Sequence, residues 1–403
     1  MRASSQAPKP SKILLRAHEL APALVDIRRT LHRHPELGFE ERCTAALVAS
    51  KLHSLGIRVE TNVGITGVVG HIGTGGPIVA LRADMDALPI QELNQTPYAS
   101  EVPGIMHACG HDAHTACLLG AATILQEIKL DGQVRLIFQP SEEGMDKEGK
   151  SGAMRMVEEG VADGVQAFFA LHVDSDYHSG TLACSPGYVL AAMDTLVIQV
   201  MGTAAHGAQA YLGVDAVLLA SQVIGALHTV VSRRISPLDS GVISIGLIHG
   251  GTKENILAEQ VELRGTVRSF KPEVRQALLR EIDRVCGITR AVGGDYRLSI
   301  RHGYPALHND PSLTAFAVEA LTGLIGSEAL LPLEPEMGSE DFSFFAQRAP
   351  ACYMSLGVRF PGQPMRPAHH PSFDIDESAL PLGAASLAHL AVGYLNARPH
   401  ERQ

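Results

Sequence analysis

Two periodicities alternate along the first half of the chain. Apolar residues recur at helical spacing over about residues 13–34, 40–55 and 114–127, the last with Leu118, Ala121, Ala122 and Leu125 on one face. Largely apolar runs, two of them interrupted by one arginine each, lie at 77–83, 134–138 and 167–171. A run of that kind ended by a polar residue fits a strand buried on both faces. Strands alternating with helices predict a mostly parallel sheet covered on both sides. Near Met193 the pattern changes. Strands at 195–201, 241–249, 261–270 and 297–302 combine with helices at 214–231 and 272–285, the second helix announced by Lys271-Pro272. That β-α-β-β-α-β order is ferredoxin-like. A helix at 311–325, a strand at 353–358 and a helix at 377–397 return to the first style. The expected fold class is α/β: a parallel-sheet domain from residues 1–192 and 306–403, interrupted by an inserted α+β module at 193–305.

The residues that end the buried runs carry the chemistry. In open α/β sheets ligands bind at the carboxyl ends of the strands. Asp84-Met85-Asp86 follows one run, Glu142-Glu143 follows a second and His172 follows a third. Cys109 and His111, in MHACGHDAH, sit in the loop before a helix, whose N-terminus favours anionic ligands such as a thiolate. His369 and His370 lie in AHHP. Thiolate, imidazole and carboxylate are the side chains that bind borderline divalent metals, and their recurrence at one sheet edge reads as a dinuclear metal site. Adjacent residues in extended backbone point opposite ways. One carboxylate of the Glu142-Glu143 pair can thus bind metal while the other takes a proton from water. Asp86 reads as a ligand, a carboxylate orienting an imidazole or a loop cap, with the orienting role favoured. Asp112 and His114 also fit orienting roles, and Asp112 equally a helix cap. A Cys109-dependent cysteine hydrolase is a competing reading, and a non-catalytic metal or acyl-amino-acid binding protein is another. The glycines of 64–76, and Gly250-Gly251, read as tight hairpins, because no helix follows to receive a phosphate. His206 by itself is a surface or capping residue.

Composition narrows the setting. At 403 residues the chain is long enough for two or more domains. A 45% hydrophobic share excludes a disordered chain. The net charge of −10, without a basic cluster, argues against nucleic acid as a partner. Arg28-Arg29 and Arg233-Arg234 read as solvated helix faces. No apolar run approaches a membrane span, so no membrane association is expected. The first twenty residues lack a secretory signal, and the first dozen are expected to be a loose arm. Six cysteines without framework spacing suit a reducing, cytoplasmic setting. Cys43, Cys117, Cys184, Cys286 and Cys352 read as packing residues.

Motifs along nearly the whole chain resemble the M20 metallopeptidase family, in its amidohydrolase branch. They are RRTLHRHPE (28–36), RADMDALP (82–89), HACGHDAH, PSEEG, LHV, the segment 255–270, SEDF (339–342) and HHPSFDIDE. That branch holds hippurate, N-acyl-amino-acid and indoleacetyl-amino-acid hydrolases. The resemblance implies a zinc-peptidase-like catalytic domain with an inserted lid that pairs with a second subunit. It implies two divalent ions held by Cys109, His111, Glu143, His172 and a C-terminal histidine. In the family that histidine precedes a variable residue and then proline, which selects His369 over His370. Glu142 matches the general base and Asp86 the orienting aspartate. The wider family has a histidine ligand at the position of Asp84, so here the ligand set comes from HACGH instead. His206, Asn255 and Arg268 of the lid are then expected to bind substrate. The implied activity is metal-dependent hydrolysis of N-acyl amino acids or small peptide-like amides by a water bridging the metals. The mixed sulfur, nitrogen and oxygen donors admit Mn, Zn, Co or Ni.

Overall fold

The buried runs of the first half assemble into one eight-stranded sheet in the computed structural model, which describes residues 11–397. Across the sheet the order is Arg58–Val63, Gly67–Gly73, Gln133–Gln139, Ile78–Asp84, Val165–His178, Ala351–Arg359, Leu182–Ala183 and Leu330–Leu331. The four strands from Gln133–Gln139 to Ala351–Arg359 are mutually parallel. The first three in the order pair antiparallel. Ile78–Asp84 and Ala351–Arg359 are buried over almost their whole length, which is why their sequences show no alternation. The helices Lys12–Arg33, His111–Gln126 and Leu380–Ala397 share one core with the sheet through Leu24, Leu31, Leu118, Leu125, Leu387 and Tyr394. Helix Pro311–Ile325 begins as its sequence directs, with Asp310 accepting the Leu313 N–H at 2.8 Å and Pro311 in the first turn. These elements form one compact unit, made, among the described residues, of 11–187, His308–Glu334 and 344–397.

Tyr188–Leu307 and Pro335–Ser343 form a second unit. Its four-stranded antiparallel sheet has the order Asp295–His302, Ala192–Met201, Gln260–Ser269, Gly241–Gly250. With helices Ala216–Arg234 and Pro272–Cys286 this is the ferredoxin-like arrangement. Strand Ala192–Met201 alternates buried and half-buried residues, as a sheet packed on one face should. Leu196, Ile198, Val200, Leu219, Val223, Leu263, Leu278 and Ile282 form a separate core. Pro335–Ser343 joins this unit through backbone bonds from Ala191 N–H to Gly338 O (2.7 Å) and from Glu336 N–H to Val189 O (2.9 Å). Periodicity cannot show such pairing, and the segment was expected with 306–403.

Several local expectations change. His172 lies within strand Val165–His178 rather than after it, and His111 opens helix His111–Gln126 rather than preceding it. Gly64 turns a true hairpin, but Gly73, Gly75 and Gly76 connect strands that flank Gln133–Gln139. Gly251 opens a nine-residue connection, 251–259, between paired strands rather than a tight turn. Among the described residues two helices, Ala216–Arg234 and Glu377–Ala397, are long and apolar enough by length and composition alone to cross a membrane. In the latter, 78% of its most apolar 18-residue window is buried, and it serves as a core helix. Most of the expected loose arm lies outside the described residues, and Ser11 already caps the first helix, accepting Leu14 N–H at 3.1 Å.

The largest correction concerns Arg28. It is fully buried rather than solvated. Its guanidinium reaches Asp112 (2.9 Å), Glu377 (3.3 Å) and Asp374 (3.5 Å). Arg29 is part-exposed and pairs Glu377 at 2.6 Å. His32, one turn on, bonds Asp112 at 2.7 Å and Glu92 at 3.3 Å. Asp112 lies beside His111, so the first helix grips the start of the helix that carries it. Burial alone would raise the Asp112 carboxyl; Arg28 and His32 outweigh it and hold Asp112 well below the usual carboxylate range. A depressed carboxylate contributes stability that is present above its unfolded pKa of about 4 and lost as pH falls through the folded value. Arg28→Met is expected to destabilise the chain by about 3–5 kcal/mol, the scale for stranding a buried charge. Urea unfolding at pH 7 and pH 4 checks it, with the penalty shrinking at the lower pH.

Candidate metal centre

Four loops and one strand bring the candidate ligands together. Gly110 stands between Cys109 and His111 with φ +84°, and a Cβ there would collide with the Val173 side chain. Only glycine makes this turn, which lets both neighbours face one side. Strand Ile78–Asp84 delivers Asp84 and then Asp86. Strand Gln133–Gln139 leads through Pro140 to Ser141, at φ +42°, and then to the Glu142-Glu143 pair. His172 pairs in register with Ser355 of the neighbouring strand. His369 has φ +60°, and its N–H donates to Ala108 O at 2.8 Å, latching the AHHP loop to the cysteine loop.

Hydrogen bonds fix which imidazole nitrogens remain available. His172 Nδ1–H donates to the Val173 carbonyl at 2.7 Å, which leaves Nε2 facing Cys109 Sγ at 3.4 Å. His111 Nδ1 bonds Asp86 Oδ1 at 3.2 Å, and its buried Nε2 has no hydrogen-bond partner. The other oxygen of Asp86 accepts the Glu143 N–H at 3.0 Å, so one carboxylate orients both residues. His369 Nε2 stands 3.0 Å from Glu143 Oε1. His370 instead bonds Ser372 Oγ at 2.7 Å. Glu142 is 7% exposed. His114 accepts the Val173 N–H at Nε2 (2.8 Å), so its Nδ1 carries the proton given to Asp84 at 2.5 Å. Asp84 is further bonded by Arg82 at 2.7 Å.

These side chains form overlapping groups whose ligand atoms lie within 4.8 Å of one another: Cys109, His111 and His172; Cys109, Glu143 and His369; and His111, Glu142 and Glu143. The charges favour a cation. Burial pushes the Cys109 thiol up and Glu143 adds to this, but His172 and His111 outweigh both and lower it to about 7. Burial lowers His172, yet Cys109 brings it up to about 9. Contacts with Cys109 and Glu143 raise His369 to about 10. A thiolate and carboxylates thus seek positive charge, which divalent ions supply while taking the imidazole lone pairs. The orphaned His111 Nε2 and the mixed donor set fit such ions, whose identity the donors leave open.

In the second unit, His206 and Asn255 lie side by side: Gly207 N–H donates to Asn255 O at 2.8 Å, and His206 bridges Ile256. His206 Nδ1 accepts the Ala208 N–H at 3.0 Å. Arg268 Nη1–H donates to Met337 O at 2.6 Å. Sequence reasoning missed Arg28 and His32 at the start of the helix that carries His111, and Glu41, whose buried carboxylate accepts the Ser141 N–H at 2.8 Å. Arg28 and His32 had one signal, their place in the motif at 28–36; Glu41 lies outside every motif read from the sequence.

Residues 80–392 match the family described as peptidase family M20/M25/M40. YhaA of Bacillus subtilis (strain 168), which carries an amidohydrolase name, is 42% identical over 378 residues, 92% of this chain and 94% of that protein. IAA-amino acid hydrolase ILR1-like 4 of Arabidopsis thaliana is 39% identical over 402 residues, 97% of this chain and 90% of its own. The solved structure of the Bacillus subtilis YXEP protein, described as a dinuclear metal binding peptidase from the M20 family, matches with a TM-score of 0.82 at 34% identity, covering 94% of this chain and 99% of that one. With the ligand-type cluster at the strand ends, these matches show that the chain belongs to the M20 metallopeptidase family and is a hydrolase acting on amides.

Proposed function

We propose that this chain cleaves N-acyl amino acids, or small peptide-like amides with a free carboxylate, using two divalent ions held by Cys109, His111, Glu143, His172 and His369. The observation that carries the reading is the pair of three-residue groups that share Cys109. When bound, such ions lower the pKa of water and polarise the amide carbonyl. Asp86 holds His111 by its Nδ1–H and Glu143 by its backbone, so both present fixed donor atoms. Glu142, grouped with His111 and Glu143, takes the proton of the attacking water and passes it to the leaving amine. A relative named for an IAA-amino acid supports an amino-acid conjugate as substrate. In the second unit, Arg268 binds the substrate carboxylate, while His206 and Asn255 hydrogen-bond the tetrahedral oxyanion. That unit acts as a lid and pairs with a second copy. Its edge strand Gly241–Gly250 exposes Leu247 and Ile248, and helix Ala216–Arg234 exposes Val217 and Leu218. Free cysteines support a reducing, cytoplasmic setting.

A second reading has one observation in its favour: Cys109, lowered to about 7, stands 3.4 Å from His172 as a nucleophile would from its base. Metal dependence separates the two. Chelator-stripped enzyme is expected to lose its turnover of N-acyl amino acids and regain it with Zn, Mn, Co or Ni. Cys109→Ala and His172→Ala are expected to lower bound metal, measured by elemental analysis, together with activity. Full turnover in stripped enzyme would instead support the cysteine nucleophile.

Glu142→Gln is expected to keep both fold and metal while turnover falls by about a hundredfold or more, the scale for losing a general base. Metal loss in Glu142→Gln but not in Glu143→Gln would reverse the two roles.

Arg268→Ala is expected to raise KM for a free-carboxylate substrate and leave its carboxyl-amide analogue little changed, whereas His206→Ala mainly lowers kcat. Equal loss on both substrates rules out the carboxylate contact. Sedimentation of the wild type as a monomer would remove the pairing through the lid.

A further inference from the structure

Glu142 owes its direction to the residue before it. Ser141 adopts φ +42°, a left-handed conformation that a non-glycine residue holds only where its surroundings over-determine it. Every polar group of Ser141 is engaged. Its N–H donates to Glu41 Oε1 at 2.8 Å, its carbonyl accepts the Gly152 N–H at 3.0 Å, and its hydroxyl donates to Gly144 O at 3.3 Å. The segment that supplies Glu41 is shaped around it. A Cβ on Gly38 would collide with Ser141 Oγ, so only glycine allows the approach. Phe39, next along, is itself left-handed at φ +63°. Glu36 fixes the far end of the segment. Its carboxylate accepts Cys43 N–H (3.0 Å) and Thr44 N–H (2.8 Å), and its carbonyl accepts Ala87 N–H (2.8 Å), next to Asp86. The other oxygen of Glu41 accepts the Thr66 hydroxyl at 2.5 Å, and the side chain is fully buried.

We propose that Glu41 is a positioning residue for hydrolysis: with Gly38 it clamps Ser141 in its left-handed turn and thereby sets the aim of the Glu142 carboxylate. The inference rests on Glu142 as the base. It needs no negative charge on Glu41, because one oxygen accepting the Ser141 N–H suffices. Burial first, and Asp86 second, raise Glu41 to about 7, so the clamp works with a carboxyl that readily carries a proton. A base misplaced by a fraction of an ångström acts poorly in the transition state but leaves substrate affinity alone.

The test compares metal-loaded Glu41→Ala, Glu41→Gln and Gly38→Ala with wild type on an N-acyl amino acid. It reads kcat, KM, bound metal per chain and melting temperature. Glu41→Ala is expected to lower kcat by about tenfold to a hundredfold with KM and metal content unchanged. Glu41→Gln keeps an acceptor for Ser141 and a partner for Thr66, and is expected to recover most of that loss. Gly38→Ala presses on Ser141 from the other side and is expected to lower kcat in the same way; it carries the test if Glu41→Ala does not fold. Metal content falling in step with kcat, or no recovery in Glu41→Gln, would make Glu41 a prop of the fold and overturn the proposal. Glu142→Gln tells the two failures apart. Undiminished turnover there removes the base assignment itself. A full loss there beside an unaffected Glu41→Ala and Gly38→Ala removes only the clamp.

Discussion

Crowding of ligand-type groups, buried at Cys109 and His111 and half-buried at Glu143 and His172, is the constraint on which the rest of the first unit depends. Cys109, His111, Glu143, His172 and His369 bring their donor atoms within 4.8 Å in overlapping groups. Burying such groups unpaired costs several kcal/mol each. Each surrounding contact lowers that cost in a directional way. The Val173 carbonyl takes one proton of His172, and Asp86 takes one of His111. Both choices leave Nε2 facing the cluster. The His111 Nε2 that remains without a hydrogen-bond partner is what a divalent cation would satisfy. The orienting bonds and the leftover lone pairs are two sides of one arrangement.

The first helix and the segment after it hold that arrangement from behind. Arg28 and His32 meet Asp112 at the start of the helix that carries His111. Glu36 binds the backbone beside Asp86, and Glu41 binds the backbone before Glu142. Three separate loops are therefore anchored to one continuous stretch of chain, 28–41. Coupling of this kind makes the site a property of the whole unit rather than of its loops. It also explains why a cation as costly to bury as Arg28 sits in the core: three carboxylates surround it.

The parallel strands were legible because burial on both faces writes a largely apolar run, as in 77–83 and 134–138, each broken by a single arginine. The ferredoxin-like order was legible because strand and helix periods differ and Lys271-Pro272 marks a helix start. The cluster at the strand ends followed from those two readings together with residue type. What the sequence hid depends on contacts distant along the chain. Arg28 read as solvated because an arginine beside another arginine usually is, and its partners lie 84 to 349 residues away. Pro335–Ser343 joins the second unit by backbone bonds, which no side-chain pattern records. His172 read as the residue after a strand because its polarity mimics a strand end, yet pairing with the neighbouring strand carries Val165–His178 past it.

Asp84 shows how the donor set is limited as well as supplied. It is an acidic residue at the end of a central strand, 3.7 Å from His111 Nε2, and by type it could bind a metal. One oxygen is taken by His114 and the other by Arg82, and its carbonyl accepts the Thr115 hydroxyl at 2.9 Å. Burial would raise its carboxyl, but Arg82, His111 and His114 outweigh that and hold it well below the usual carboxylate range. An anion so fully engaged has little left to offer a cation. Its work is instead to fix His114, which in turn holds the Val173 backbone beside His172. The negative charge that a divalent cation would need must then come from elsewhere, and Cys109 and Glu143, each common to two of the ligand-type groups, are the anions placed to supply it.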